Sequence, residues 1–147
     1  MKGGTGMPVF DYPFQVRFGD VDSFGHVNNA IQLAYLENAR EQLYRECGLA
    51  ALMAGQFALV GHQSIEYRRP LSFQVEPVLI EVWVTRIGRS SFDLANRIVD
   101  APTREAYSVA TTGMVLANRE TGRSVALTDA QRSLLESRRG EPLALRS

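Results

Sequence analysis

Residues 19–29, Gly-Asp-Val-Asp-Ser-Phe-Gly-His-Val-Asn-Asn, are the stretch of this chain best suited to chemistry. Two Asp, two Gly and a Ser mark it as a loop, and the Asn pair closing it is a helix N-cap signal. A carboxylate just ahead of a helix start meets first-turn N–H groups that are unpaired and carry partial positive charge. Such groups hold an anion, or the developing oxyanion of an acyl-transfer transition state. A carboxylate beside them can act as a nucleophile or as a base on water. Asp22 and the backbone N–H of Asn29 can therefore form an attack-and-stabilise pair. The same spacing fits an Asp that only caps or shapes a turn, so residue types and spacing alone leave both readings open.

Other polar residues are placed less tellingly. His26 sits in the same loop. Glu37 falls three residues before Arg40 on the helix that follows, where an i,i+3 ion pair is the simpler reading. His62 shares a strand face with Ser64, Glu66 and Arg68. Arg68, Arg69, Arg86 and Arg89 stand at strand ends, with Ser90 and Ser91 beside the last. Guanidinium groups there suit phosphate recognition because they donate in a fork, although a solvated basic edge would look the same. Two His without ligand spacing give no metal site. The single Cys47 reads as a small buried residue near a helix end, not a nucleophile.

The elements that must position these groups follow from periodicity. Residues 14–18 alternate apolar and polar, as in a short half-buried strand. A helix is predicted over about 29–47, with Ile31, Tyr35, Ala39, Leu43 and Cys47 recurring every four residues beside Leu36, and Gly48 as its stop. Period two then takes over, with strands at 57–68, 78–86, 91–99 and 105–117 separated by breaks and turns. In the first, Phe57, Leu59, Gly61, Gln63, Ile65 and Tyr67 are expected on one face. Thr128 and Gln131 have capping-box spacing, which starts a short helix at about 129–137. The order is strand, long helix, four strands in an antiparallel meander, short helix: an α+β plan. A curved sheet of this kind leaves a face and its edges needing cover, which favours dimerisation.

The loop from Asp20 to Asn29, followed by Tyr35, Glu37, Ala39 and Arg40, resembles the signature of the 4-hydroxybenzoyl-CoA thioesterase family: an Asp-x-Asp loop, Gly-His-Val-Asn-Asn, then a helix with Tyr, Glu and Ala-Arg. Glu66-Tyr67-Arg68-Arg69-Pro70 resembles that family's strand-ending Tyr-x-x-Pro segment, and Arg86-Ile87-Gly88-Arg89-Ser90-Ser91 its Arg-x-Gly-x-Ser-Ser turn. The ordered match covers about residues 12–118. It implies a hotdog fold, a curved antiparallel sheet wrapped around one long central helix, assembled as a homodimer or homotetramer with active sites at subunit interfaces. It implies hydrolysis of an acyl-CoA without metal or redox cofactor, coenzyme A being part of the substrate. Asp22 takes the place of the catalytic carboxylate, the amide near Asn29 polarises the thioester carbonyl, and Asp20 is structural. Arg89, Ser90 and Ser91 become nucleotide contacts, with Arg68 and Arg69 as further cations. Some enzymes of the fold carry a catalytic Glu on the central helix, which keeps Glu37 in view, and His62 could line an acyl pocket across the interface. Plant acyl-carrier thioesterases of the same fold carry Asp-x-Asn-Gln-His-Val-Asn-Asn. Asp22 and His26 match two of its catalytic positions, but Phe24 stands at the Asn position and Gly25 at the Gln position. The full triad is absent, and His26 either orients water or substrate or fixes the loop.

Bulk properties set the outer bounds. At 147 residues one domain is expected, with residues 1–10 a loose N-terminal segment and 11–140 the folded unit. Hydrophobic residues make up 45% and charged residues 22%, as in ordinary globular chains. Sixteen basic and sixteen acidic residues cancel, so electrostatics gives no reason to expect nucleic acid or a membrane surface as partner. Residues 1–7 are Gly-rich without the apolar core of a signal peptide, and no apolar run is long enough to span a bilayer. A cytoplasmic location is the expectation. Two other readings stay beside the hydrolase: a hydratase or dehydratase on the same fold, and an acyl-CoA-binding module without turnover.

Overall fold

The structure, a computed structural model, describes residues 8–145. The first elements are strand β1 (Phe10–Phe14), a single 3-10 turn (Phe18–Asp20) and helix α1 (Asn29–Glu46). Strands β2 (Gln56–Tyr67), β3 (Val78–Ile87), β4 (Ser91–Val99) and β5 (Ala106–Asn118) follow, then helix α2 (Asp129–Glu136). Residues 1–7 of the expected loose segment lie outside the described residues, while Phe10 already belongs to the sheet.

The five strands form one antiparallel sheet in the order β1-β3-β4-β5-β2. Two expectations need correction here. The first strand lies at Phe10–Phe14, not 14–18, because Phe10 to Phe14 pair with Val82 to Val78 along β3. Phe18 is turned out, three-quarters exposed. Pro13, which lacks an N–H, is tolerated because β1 is an edge strand. Only β3, β4 and β5 form a meander. β2 crosses to the far edge beside β5, carried there by a connection over residues 68–77 that Pro70 and Pro77 keep from continuing as strand. A further correction concerns β2 itself. A bulge between Val60 and His62 shifts its register against β5, so the strict alternation expected from Phe57 to Tyr67 fails. Ala58 packs against the core before the bulge, Ile65 after it.

The core lies between α1 and one face of the sheet. Tyr35, Leu36, Ala39 and Leu43 of α1 meet Val78, Ile80, Val82 and Val84 of β3, with Phe92, Leu94 and Ile98 of β4 and Ala110, Met114 and Leu116 of β5. Three polar residues outside the apolar repeat are also buried on α1: Gln32, Arg40 and Tyr44. Arg40 does not pair with Glu37, which is exposed. Its Nη1 donates to Gln63 Oε1 at 3.3 Å, and Thr112 Oγ1 bonds the same oxygen at 3.1 Å. The i,i+3 spacing was right for a surface ion pair, but Arg40 is drawn under the sheet by the polar layer of Gln63, Thr112 and Asn96. Burial lowers the guanidinium pKa from its ordinary value.

Both helices begin on the expected signals. Asn28 caps α1, its side chain accepting from the Ala30 N–H at 2.8 Å. Thr128 and Gln131 form the reciprocal capping box of α2. Cys47 caps the C-terminal end of α1, partly buried, its thiol pKa pushed up by burial. Gly48 follows at φ +91°, the left-handed stop that glycine permits. Among the described residues no helix is long and apolar enough to cross a membrane.

Candidate active site

The loop ahead of α1 is closed on itself and then fastened to the rest of the chain. Val21 and Val27 form an antiparallel bridge. Inside it, the Asp22 N–H donates to the His26 carbonyl at 2.9 Å and the Gly25 N–H to the Asp22 carbonyl at 3.0 Å. Gly25 makes the reversal at φ +83°, a backbone state that costs a side-chain-bearing residue about 1–2 kcal/mol. Outside the loop, Val27 N–H donates to Leu71 O at 2.7 Å and His26 bridges Ser72. The crossover from β2 to β3 is thus the second wall of the site. Tyr67, at the end of β2, donates its hydroxyl to Asn29 O at 2.8 Å, which fixes the strand end to the first residue of α1.

Asp20 ties the loop to the core. Its Oδ2 accepts from Tyr35 Oη at 2.6 Å and from Arg17 Nε at 3.1 Å. The Tyr35 bond, helped by Arg17, lowers the Asp20 pKa below its ordinary 3.8, and burial with the neighbouring carboxylate pushes the Tyr35 phenol up to about 12. A carboxyl depressed in the folded state contributes stability above its unfolded pKa, lost as the pH falls through the folded value. Tyr35→Phe is therefore expected to cost about 1–2 kcal/mol at neutral pH. That difference should shrink as the pH drops below about 4, as measured by urea melts at several pH values.

Asp22 itself is exposed in the single chain. Its Oδ1 accepts from the N–H of Phe24 at 2.9 Å and of His26 at 3.4 Å, the Asx-turn geometry of a loop-shaping residue. Its Oδ2 takes no hydrogen bond from another described residue. The backbone N–H of Asn29, first in α1, has no acceptor among them either, since Asn28 receives Ala30, Ile31 and Gln32. Asp22 and Asn29 both line one cavity of about 500 Å³. Asp22 is thus a turn former by one oxygen and a cavity residue besides, so the two readings left open by spacing are not exclusive.

The same cavity gathers His26, Arg68 and Arg69. Arg68 Nε pairs with Glu66 at 2.8 Å. Arg69 stacks 4.2 Å from the centre of the Tyr107 ring and donates to the Ala106 and Glu105 carbonyls, which holds a cation at the rim. Glu37, His62, Arg89, Ser90 and Ser91 are not brought to it. His62 and Ser91 line a separate cavity of about 270 Å³ with Arg86 and Asp93. The Arg89 and Ser90 carbonyls are spent on the backbone N–H groups of Leu127 and Leu116. Sequence reasoning passed over Tyr67 and Gln32, which also line the Asp22 cavity. Tyr67 stood in the strand-ending motif without a role, and Gln32 carried no signal beyond being one turn from Asn29. Among the described residues no group of three or more His, Cys, Asp or Glu is placed to hold a metal ion.

Residues 16–135 match the model of the thioesterase-like superfamily. The chain is 27% identical over 120 residues to the uncharacterised protein YsmA of Bacillus subtilis (strain 168), covering 82% of this chain and 80% of that one. Among solved structures it is similar to a thioesterase from Thermus thermophilus complexed with coenzyme A and Zn, with 30% identity, TM-score 0.76, and 94% and 99% of the two chains covered. It is also similar to the PA5185 protein of Pseudomonas aeruginosa strain PAO1, with 27% identity, TM-score 0.80, and 88% and 91% covered.

Proposed function

We propose that this chain, which belongs to the thioesterase-like superfamily and is a thioester hydrolase with the hotdog fold, hydrolyses an acyl-CoA to the free acid and coenzyme A, using Asp22 and the N-terminus of α1. The observation that carries the reading is that Asp22, with one carboxylate oxygen free of hydrogen bonds among the described residues, and Asn29, whose helix-start N–H has no acceptor among them, line one cavity. The thioester carbonyl oxygen receives the Asn29 N–H, where the helix dipole favours negative charge. Asp22 attacks the carbonyl carbon or takes a proton from the water that does. The tetrahedral intermediate collapses by breaking the C–S bond, and the sulfur leaves as thiolate or thiol. His26, in the same cavity, makes its described hydrogen bonds through its backbone, which supports a loop-fixing role with its ring available to substrate. The test is release of thiol from short, long and aromatic acyl-CoAs by the wild-type protein and by Asp22→Asn.

The substrate class rests on chemistry at the rim as well as on the relative that binds coenzyme A. Arg68 and Arg69 supply guanidinium groups suited to phosphate. Arg89, Ser90 and Ser91 stand away from Asp22 in the same chain, so in this reading they serve the nucleotide of a substrate held by a second copy. β2 supports such an assembly. It is a 12-residue edge strand with nothing paired along its outer side among the described residues, and Leu59 and Val60 are exposed on it. Long apolar edges are templates for pairing with another chain. Leu59→Lys is therefore expected to convert the native oligomer to monomer. Light scattering behind size-exclusion chromatography reads this, and an unchanged mass would exclude the β2 edge as the interface.

A further inference from the structure

We infer that Tyr67 is a positioning residue of the Asp22 site: through its hydrogen bond to the Asn29 carbonyl it keeps the first residue of α1 from fraying, so that the Asn29 N–H stays set for the thioester oxygen. The inference rests on the reading proposed above and adds to it the group that holds its hydrogen-bond donor in place.

A donor at a helix start has a mechanical weakness. The first residue is held by fewer bonds than the interior, and helix ends fray. In α1 the N–H groups of Ala30, Ile31 and Gln32 are all taken by Asn28. The Asn29 N–H has no acceptor among the described residues, so no hydrogen bond fixes that residue from its amide side. Stabilisation of a developing oxyanion depends on donors already in place. A donor that must first be ordered loses part of its effect to that ordering, so this one needs a brace from outside the helix.

Tyr67 supplies it. Its hydroxyl donates to Asn29 O at 2.8 Å, and both residues line the Asp22 cavity. Tyr67 is the last residue of β2, and it is itself firmly held. It pairs with Ser108 of β5. The N–H groups of Arg68 and Arg69, directly after it, both donate to Tyr107 O, at 2.8 and 3.2 Å. The brace therefore runs from the sheet to the helix start. Burial raises the Tyr67 phenol above its ordinary pKa, so the hydroxyl keeps its proton and remains a donor at neutral pH. The brace depends on the oxygen alone, because a phenylalanine ring fills the same space and cannot donate.

The experiment measures kcat and KM separately for wild type and Tyr67→Phe, on whichever of the short, long and aromatic acyl-CoAs wild type turns over fastest, with thermal melts alongside. Loss of the brace should lower kcat by about 10-fold, the scale of one hydrogen bond. KM should stay nearly unchanged, the pattern of an interaction made in the transition state. The same acyl-CoA, isotopically labelled at the thioester carbonyl, is then bound to Asp22→Asn, which is expected to hold it uncleaved. Its carbonyl infrared band should move to lower frequency on binding, as a hydrogen bond to that oxygen requires. Adding Tyr67→Phe should return the band part of the way to its position in solution. A merely structural tyrosine would lower Tm and leave both the band and kcat per folded molecule unmoved, a result that overturns this inference alone. So does a raised KM with kcat kept, which assigns the hydroxyl to the substrate. An unshifted band in Asp22→Asn, or no turnover of any acyl-CoA by wild type, overturns the proposed reading and this inference with it.

Discussion

Asp22→Asn is expected to lower kcat by about 10²–10⁴-fold, the range contributed by a positioned base, equivalent to about 2.7–5.4 kcal/mol of transition-state stabilisation. The substitution is informative because of how the residue is held. Oδ1 accepts from the Phe24 and His26 N–H groups, and an Asn carbonyl oxygen can accept from both. The loop therefore keeps its bridge, its Gly25 reversal and its contact with Leu71, while the charge and basicity of the free oxygen are lost. Thiol release measured per folded molecule, with far-UV circular dichroism confirming the fold, isolates the chemical role. A residue that served only the turn would leave the rate nearly unchanged and alter stability alone. The two outcomes differ by orders of magnitude, so modest errors in the folded fraction do not blur them.

Leu71→Ala carries the largest expected effect on stability, about 2–5 kcal/mol, as for other truncations that leave a cavity in a packed core. Typical domains are stable by only about 5–15 kcal/mol. Leu71 is fully buried although it lies in the connection between β2 and β3. Its side chain anchors that connection in the core while its carbonyl accepts the Val27 N–H at 2.7 Å. Loosening the anchor should therefore also loosen the loop that holds Asp22. Urea denaturation reads the first effect as a lower midpoint with unchanged m. The second is read as a kcat that falls further with temperature than that of wild type. A variant less stable but equally active at all temperatures below its transition would show that the loop does not depend on this anchor.

Local signals in the sequence were strongest where chemistry is local. The start of α1, the Thr128–Gln131 box and the four long strands follow from caps and period two, which depend on neighbours a few residues away. Asp22, His26 and Asn29 stand out as candidates for the same reason, since one loop contains them all, and the structure places the three around one cavity. Features that depend on distant partners were hidden. β1 was misplaced because both Phe10–Phe14 and its successor alternate, and only pairing with β3 decides between them. The place of β2 beside β5 is set by the crossover, and its bulge at Gly61 breaks the face pattern that alternation suggests. Arg40 and Gln32 are the clearest cases. Helical periodicity predicts apolar burial, and a polar side chain is carried inside only by what it meets there: Gln63 for Arg40, the cavity for Gln32. Cation placement divided along the same line. Arg68 and Arg69 follow Tyr67 directly and reach the cavity with it, whereas Arg89 and Ser90 belong to the turn between β3 and β4, and Ser91 opens β4, at another surface.

The position of β2 at the far edge also bears on how the chain is made. Within the sheet its partner is β5 alone, and β5 is the last of the described strands to leave the ribosome. At about 5–20 residues per second, the roughly 50 residues between them keep a long strand waiting for about 3–10 s, with Leu59 and Val60 accessible and neither edge satisfied. Contacts that depend on such distant segments form late, and unpaired strands are where nascent chains associate wrongly. His62, Ser64 and Glu66 interrupt the apolar residues of this strand, as polar gatekeepers do in segments prone to self-association. Synthesis in vivo therefore exposes β2 on both sides: one edge waits for β5, and the other has no strand paired to it among the described residues.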